Sequence, residues 1–209
     1  MKKIIVITII LVIAVIGAFL LIQFKSFSSY QPKCRFVKDC DFTYDPEPTK
    51  VWVANGLYSE NGSAYTVGAS WYEAGALVNG RSTLMLMHAL TPQLPSIINQ
   101  TFYLPVIFAN ANAKYILRVS LANAGQYYFK SKGCYDSRFV LKLFDSEGKG
   151  VNLLDTTVNS KDGWKEFKFD ISSYNAQNVT VQLESWPGQC DNFEGAFGVV
   201  DYIDVELVS

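Results

Sequence analysis

The chain has 209 residues, 14% of them aromatic, with 18 Lys plus Arg against 19 Asp plus Glu and a formal net charge of −1. That balance leaves no basic field to hold a phosphate backbone, which excludes nucleic acid as a partner. The length suits one sizeable folded domain behind an apolar leader rather than two domains.

The leader reads MKKIIVITIILVIAVIGAFLLIQFKSFSS, with Lys2 and Lys3 ahead of 19 uncharged residues from Ile4 to Ile22. A membrane-spanning helix needs about 20 such residues, whereas a cleavable signal core has roughly 7–15. The pattern therefore predicts a retained signal anchor over residues 1–24, with 4–22 in the membrane. The competing reading is cleavage near Ser26-Phe27-Ser28, which would release a secreted domain. No cysteine follows the run at lipobox spacing, and no Lys-Gly or Arg-Gly pair precedes it. Lys25, Lys33, Arg35 and Lys38 just beyond the span outnumber Lys2 and Lys3, and simple counting would place the N-terminus outside. Large domains translocate largely regardless of such charges, and cysteines and sequons both place residues 25–209 on the extracytoplasmic side. Residues 25–41 are expected to form a short extracellular linker and 42–209 the folded domain.

The four cysteines, Cys34, Cys40, Cys134 and Cys190, form none of the CxxC pairs a zinc or redox site would use. An even number in an exported chain suggests two disulfides. Of the three connectivities we expect Cys34 with Cys40, closing a short loop, and Cys134 with Cys190, tying together two long loops. The sequons NGS at Asn61, NQT at Asn99 and NVT at Asn178 make N-glycosylation an expectation in a host with the machinery.

Beyond SSYQPK the apolar residues recur with period two. YILRVSL places Tyr115, Leu117, Val119 and Leu121 on one face, and FVLKLFD does the same with Phe139, Leu141 and Leu143. GWKEFKFDISSYNAQNVTVQLES puts Phe167, Phe169 and Ile171, then Val179, Val181 and Leu183, inward; DYIDVELV adds Ile203, Val205 and Leu207. Lys142, Lys168, Thr180, Gln182, Asp204 and Glu206 take the opposite face, as in half-buried antiparallel strands. KVWVANG, GASWYEAG, STLMLMH and IINQTFYLP are less regular candidates, with Trp52 and Trp71 read as core or sheet-face rings. ENGS, VNGR, DSEGKG and SKDGW supply turns. Eight or nine strands at this spacing, without a convincing amphipathic helix in the domain, point to an all-β, two-sheet antiparallel sandwich of jelly-roll type.

The succession STLMLMHAL, IINQTFYLP, YILRVSL, RFVLKLFDSEG, GWKEFKFDISSY, NVTVQLES and GVVDYIDVEL resembles the galactose-binding-domain-like jelly rolls, shared by many carbohydrate-binding modules and surface attachment domains. The likeness covers about residues 42–208. On a signal anchor it is similar to a prokaryotic surface protein, an archaeal one included. It implies packing roles at strand ends for Trp164 and Tyr174. One fold carries many tasks, so function must come from a site.

Sugar recognition in such domains pairs an exposed ring with a few hydrogen-bonding groups. The loops around Cys134 and Cys190 are richest in both, offering Tyr127, Tyr128, Tyr135, Trp186, Asp191, Asn192 and Phe193; the same rings could equally cap the core. The resemblance also implies a structural calcium ion, for which Asp41, Asp45 and Asp201 are hard oxygen candidates, although solvated surface acids explain them as well. Catalysis has little support: His88 is the only histidine, lies in an apolar run, and has no nucleophile elbow beside it.

The expectation is a non-catalytic, single-pass cell-surface domain that binds glycans or neighbouring surface proteins. The alternative is a self-associating filament subunit, assembled when the extended segment SSYQPKCRFVKDCDFTYDP adds a strand to the next copy. A local Cys34–Cys40 bridge would kink such a donor.

Overall fold

The computed structural model describes residues 30–42, 51–54, 63–68, 83–89, 94–107, 112–123, 136–188 and 196–209. Among them no helix is long and apolar enough to cross a membrane; the anchor expected at 4–22 lies outside these residues. The chain divides into Met1–Tyr30 and a packed unit, Gln31–Ser209, and every described strand belongs to the second.

The described residues form ten strands: β1 Val53–Ala54, β2 Ser63–Gly68, β3 Thr83–Ala89, β4 Ser96–Leu104, β5 Lys114–Asn123, β6 Asp136–Phe144, β7 Gly150–Asn159, β8 Lys165–Asp170, β9 Gln177–Pro187 and β10 Ala196–Val208. They pair antiparallel in two five-stranded sheets, β1-β4-β9-β6-β7 and β2-β3-β10-β5-β8. This is the expected two-sheet sandwich.

Alternation sets the core. Phe139, Leu141 and Leu143 on β6, Val179, Val181 and Leu183 on β9, and Leu117, Val119 and Leu121 on β5 are fully buried in one cluster that draws on both sheets. Trp52 joins it, and Tyr174 packs against it.

The turns follow from their side chains. In the β6–β7 hairpin Asp145 Oδ1 accepts the amides of Glu147 at 3.0 Å and Lys149 at 2.8 Å, and Gly148 takes φ 79°, a left-handed conformation natural to glycine. Between β7 and β8 the amide of Asn159 donates to Asp162 Oδ2 at 2.9 Å, and Gly163 follows at φ 69°.

Two expectations need correction, and one strand was not read from the sequence. β7 does not appear in the alternation, because Leu153 is an extra residue where the β6 pairing slips between Leu141↔Leu154 and Lys142↔Asn152. Such a bulge puts apolar neighbours side by side and breaks the period. Leu207, expected inward, is 41% exposed where β10 runs out at the chain end. Asp204, expected at the surface, is fully buried, its carboxylate accepting the amides of Lys33 at 2.8 Å and Val205 at 2.8 Å.

That last contact reflects how the segment before residue 42 packs. The Cys34–Cys40 disulfide forms as expected, with Cα atoms 5.1 Å apart. Val37, Cys40 and Phe42 are at most 1% exposed. β3 pairs with β10 only as far as Val200, and β1 pairs with β4 only at Ile98 and Asn99. The disulfide loop takes up groups beyond both points: Ile203 N–H donates to Cys40 O at 2.9 Å, and the Gln100 carboxamide accepts from Lys38 N at 2.7 Å and donates to Lys38 O at 2.9 Å. Residues read from sequence as linker up to 41 thus supply part of the core, and the boundary drawn at 42 runs through the packed unit.

Candidate functional site

The two sheets differ in what their outer faces offer. On the β2-β3-β10-β5-β8 sheet the outward residues Ser120, Ala122, Val199, Tyr202 and Asp204 are at most 1% exposed. The charges beside them satisfy one another: Arg118 lies between Glu166, at 2.8 Å, and Glu206, while Tyr202 donates its hydroxyl to Glu166 at 2.7 Å. That face has little left to offer a ligand.

The other sheet presents an open polar face. With Val179, Val181, Leu183 and Ser185 inward, alternation turns Asn178, Thr180, Gln182, Glu184 and Trp186 outward along β9. β6 contributes Arg138, Val140 and Lys142; β7 contributes Asp155 and Thr157; β4 contributes Ile97, Asn99, Thr101 and Tyr103. Tyr103 is 53% exposed.

Glu184 is the centre of this face. Ile97 and Val140 flank it on the neighbouring strands, and it is 5% exposed. Trp186 donates its indole N–H to Oε2 at 2.9 Å, Gln182 donates its amide to Oε1 at 2.9 Å, and Lys142 forms an ion pair with Oε1. Burial opposes the charge on Glu184, but the hydrogen bonds from Lys142, Trp186 and Gln182 outweigh it and hold its pKa below the usual carboxylate value. One rung along, Arg138 lies opposite Trp186 and clasps Asp155 in two bonds of 2.7 and 2.6 Å. Hydrogen bonding from Arg138 lowers the Asp155 pKa.

The arrangement is an indole edge-bonded to a fixed carboxylate, with amide, ammonium and guanidinium groups around it on rigid strands. It offers donors, acceptors and an aromatic surface. Of the site residues read from sequence, Trp186 belongs to it; Tyr127, Tyr128, Tyr135, Asp191, Asn192 and Phe193 lie outside the described residues. Cys134, Cys190, Asp45, Asn61 and Trp71 also lie outside them. Asn99 and Asn178 stand on this outer face, opposite Gln182 and Tyr103 respectively. Asp201 is the extra residue where the β10–β5 register shifts and is fully buried, and Asp41 follows the disulfide loop. Among the described residues no group of three or more His, Cys, Asp or Glu is placed to hold a metal ion.

Glu184, Arg138 and Asp155 were not singled out from sequence, and Gln182 and Lys142 were read only as polar residues on the outer faces of their strands. The signal was present in VTVQLESW, whose alternate residues Thr180, Gln182, Glu184 and Trp186 are the polar and aromatic face of one strand.

No protein-family model and no curated protein matches the sequence. Solved structures do match in fold. The carbohydrate-binding module TmCBM61, solved with β-1,4-galactotriose, is 12% identical, with 85% of this chain and 99% of that chain covered at a TM-score of 0.50. The enzymatically active domain of tailspike protein 4 from bacteriophage CBA120 is 8% identical, covering 81% of this chain and 22% of that one at 0.47. The CBM22-1 xylan-binding domain of Xyn10C from Paenibacillus barcinonensis is 12% identical, covering 76% and 86% at 0.43. At these identities the likeness concerns architecture: the domain is a β-sandwich of the kind found in the carbohydrate-binding module TmCBM61.

Proposed function

We propose that the domain is a non-catalytic glycan-binding module of the cell surface, held by residues 4–22 in the membrane, whose ligand lies on the outer face of the β1-β4-β9-β6-β7 sheet. The observation that carries this reading is Glu184, nearly buried on an outward face yet bonded to Trp186, Gln182 and Lys142. Such a carboxylate fixes its neighbours in place before any ligand arrives, which lowers the entropic cost of binding. The sugar-binding likeness of the fold agrees with it, and Tyr127, Tyr128, Tyr135, Asp191, Asn192 and Phe193 are proposed as further ligand contacts.

Catalysis is disfavoured on the same face. A glycosidase needs a carboxyl group with a raised pKa as its acid, whereas Glu184 and Asp155 are each lowered by a cationic partner. Against the filament alternative, residues 33–42 of the candidate donor segment bond within their own domain.

The test is a glycan array probed with the full chain in mild detergent, followed by Trp186→Ala. Loss of about tenfold or more in affinity for the responding glycans, with the fold retained, supports the reading. Unchanged binding by the variant would place the ligand elsewhere, and no response to any glycan would turn attention to surface proteins.

A further inference from the structure

Two of the sequons are locked together in the fold. Asn99-Gln100-Thr101 on β4 and Asn178-Val179-Thr180 on β9 run antiparallel on neighbouring strands, with Thr101 opposite Thr180, Asn99 opposite Gln182 and Tyr103 opposite Asn178. The two threonine hydroxyls bond each other at 2.7 Å. The middle residues point inward: Val179 is fully buried, and Gln100 holds the backbone of Lys38 through both ends of its carboxamide.

N-glycosylation joins the Asn side-chain nitrogen to the anomeric carbon of an oligosaccharide carried on a polyprenyl diphosphate. The anomeric C–O bond breaks, the lipid diphosphate leaves with the electron pair, and the nitrogen gives one proton to a base. Amide resonance makes that nitrogen a poor nucleophile, so the transferase must grip the carboxamide and the hydroxyl two residues on. In this fold the two hydroxyls are tied to each other by one hydrogen bond, and both tripeptides are held in a ladder.

We propose that Asn99 and Asn178 accept a glycan only before β4 pairs with β9, and that a glycan installed on Asn99 at that stage covers the outer face beside Gln182 and Glu184. Both side chains point away from the core, so the modified chain still folds. The timing of modification then decides whether the face is open. The first half stands independently of the proposed function; the second rests on it.

The probe is a purified oligosaccharyltransferase with a lipid-linked oligosaccharide of defined composition, offered the native full chain and, separately, its proteolytic peptides spanning each sequon. Mass spectrometry reads occupancy. The expected result is transfer to both peptides and at least about tenfold slower transfer to either site in the native chain. Equal rates, or peptides that accept nothing, would overturn the first half. For the second, the chain is made in a host that glycosylates during synthesis, and its binding is compared with that of Asn99→Gln from the same host. Weaker binding by the occupied chain is expected, with rescue by the variant. Equal binding by the two overturns the blocking claim, whereas failure of the unglycosylated chain to bind any glycan would count against the proposed function instead.

Discussion

Trp186 and Glu184 stand two residues apart on one face of β9, the indole N–H of the first bonded to the carboxylate of the second at 2.9 Å. The bond turns the ring back along its own strand, so that ring and carboxylate act as one unit. Lys142 joins that unit from β6.

Glu184→Gln tests the unit electrostatically. The change keeps an acceptor but removes the charge that Lys142 neutralises, and is expected to cost about 1–2 kcal/mol. The sign of the pH dependence follows from the direction of the shift. Because the folded pKa lies below the ordinary value of 4.5, this stabilisation is fully present above that value and fades as the pH falls through the lowered one. Urea titrations of wild type and Glu184→Gln at neutral pH and in stepwise more acidic buffers should therefore converge on the acid side. Parallel curves at every pH would show that the charge contributes nothing.

The legible part of this protein was its alternation. Every inward residue read from YILRVSL and FVLKLFD is buried, because a half-buried strand has only one way to place its side chains. β7 escaped notice because Leu153 and Leu154 sit side by side at a bulge, and Asp204 because nothing in DYIDVELV reveals that Lys33 will sit on its carboxylate. The binding face was half legible: Trp186 stood out as a ring, but Glu184 is one acid among many until the partnership of β6 with β9 brings Lys142 to it. Long-range pairing of this kind leaves no local trace in one sequence.

The Cys34–Cys40 loop should matter for stability. In the chain-entropy model a bridge over a separation of 6 residues contributes about 2 kcal/mol. The backbone adds a cost of its own, since Cys34, Asp39 and Phe42 all have positive φ, of 47°, 47° and 56°, a region that non-glycine residues avoid. Without the bridge that conformation has less to hold it. Replacing both cysteines by serine should lower the urea midpoint and raise hydrogen exchange at the Ile203 amide, whose acceptor is Cys40 O. A variant that keeps both wild-type values would show that side-chain packing alone seats the loop.

Ala176 offers a change in the opposite direction. It holds φ 63° at the turn leading into β9, where a Cβ costs roughly 1–2 kcal/mol in the left-handed region. Ala176→Gly removes that strain and adds freedom to the unfolded chain, so the net gain expected is about 0.5–1 kcal/mol. A rise of a few degrees in thermal midpoint is the check. A fall would mean that the turn is stabilised by contacts of the methyl group.

The pairing of β6 with β9 carries the last prediction. Ser137 faces Pro187 and Arg138 faces Trp186, and the amide of Gly188 donates to Asp136 O at 3.0 Å. Cys134 lies two residues before Asp136 and Cys190 two residues after Gly188 in the sequence. Opposed residues of an antiparallel pair have Cα atoms about 4.5–5.5 Å apart, inside the range a disulfide spans. With so short a reach from paired backbone on each side, we expect these two cysteines to be bonded. Peptide maps with and without reductant should differ by a linked pair containing Cys134 and Cys190. Alkylation of both thiols in the unreduced native chain would mean that the aromatic loops are not held by a bridge.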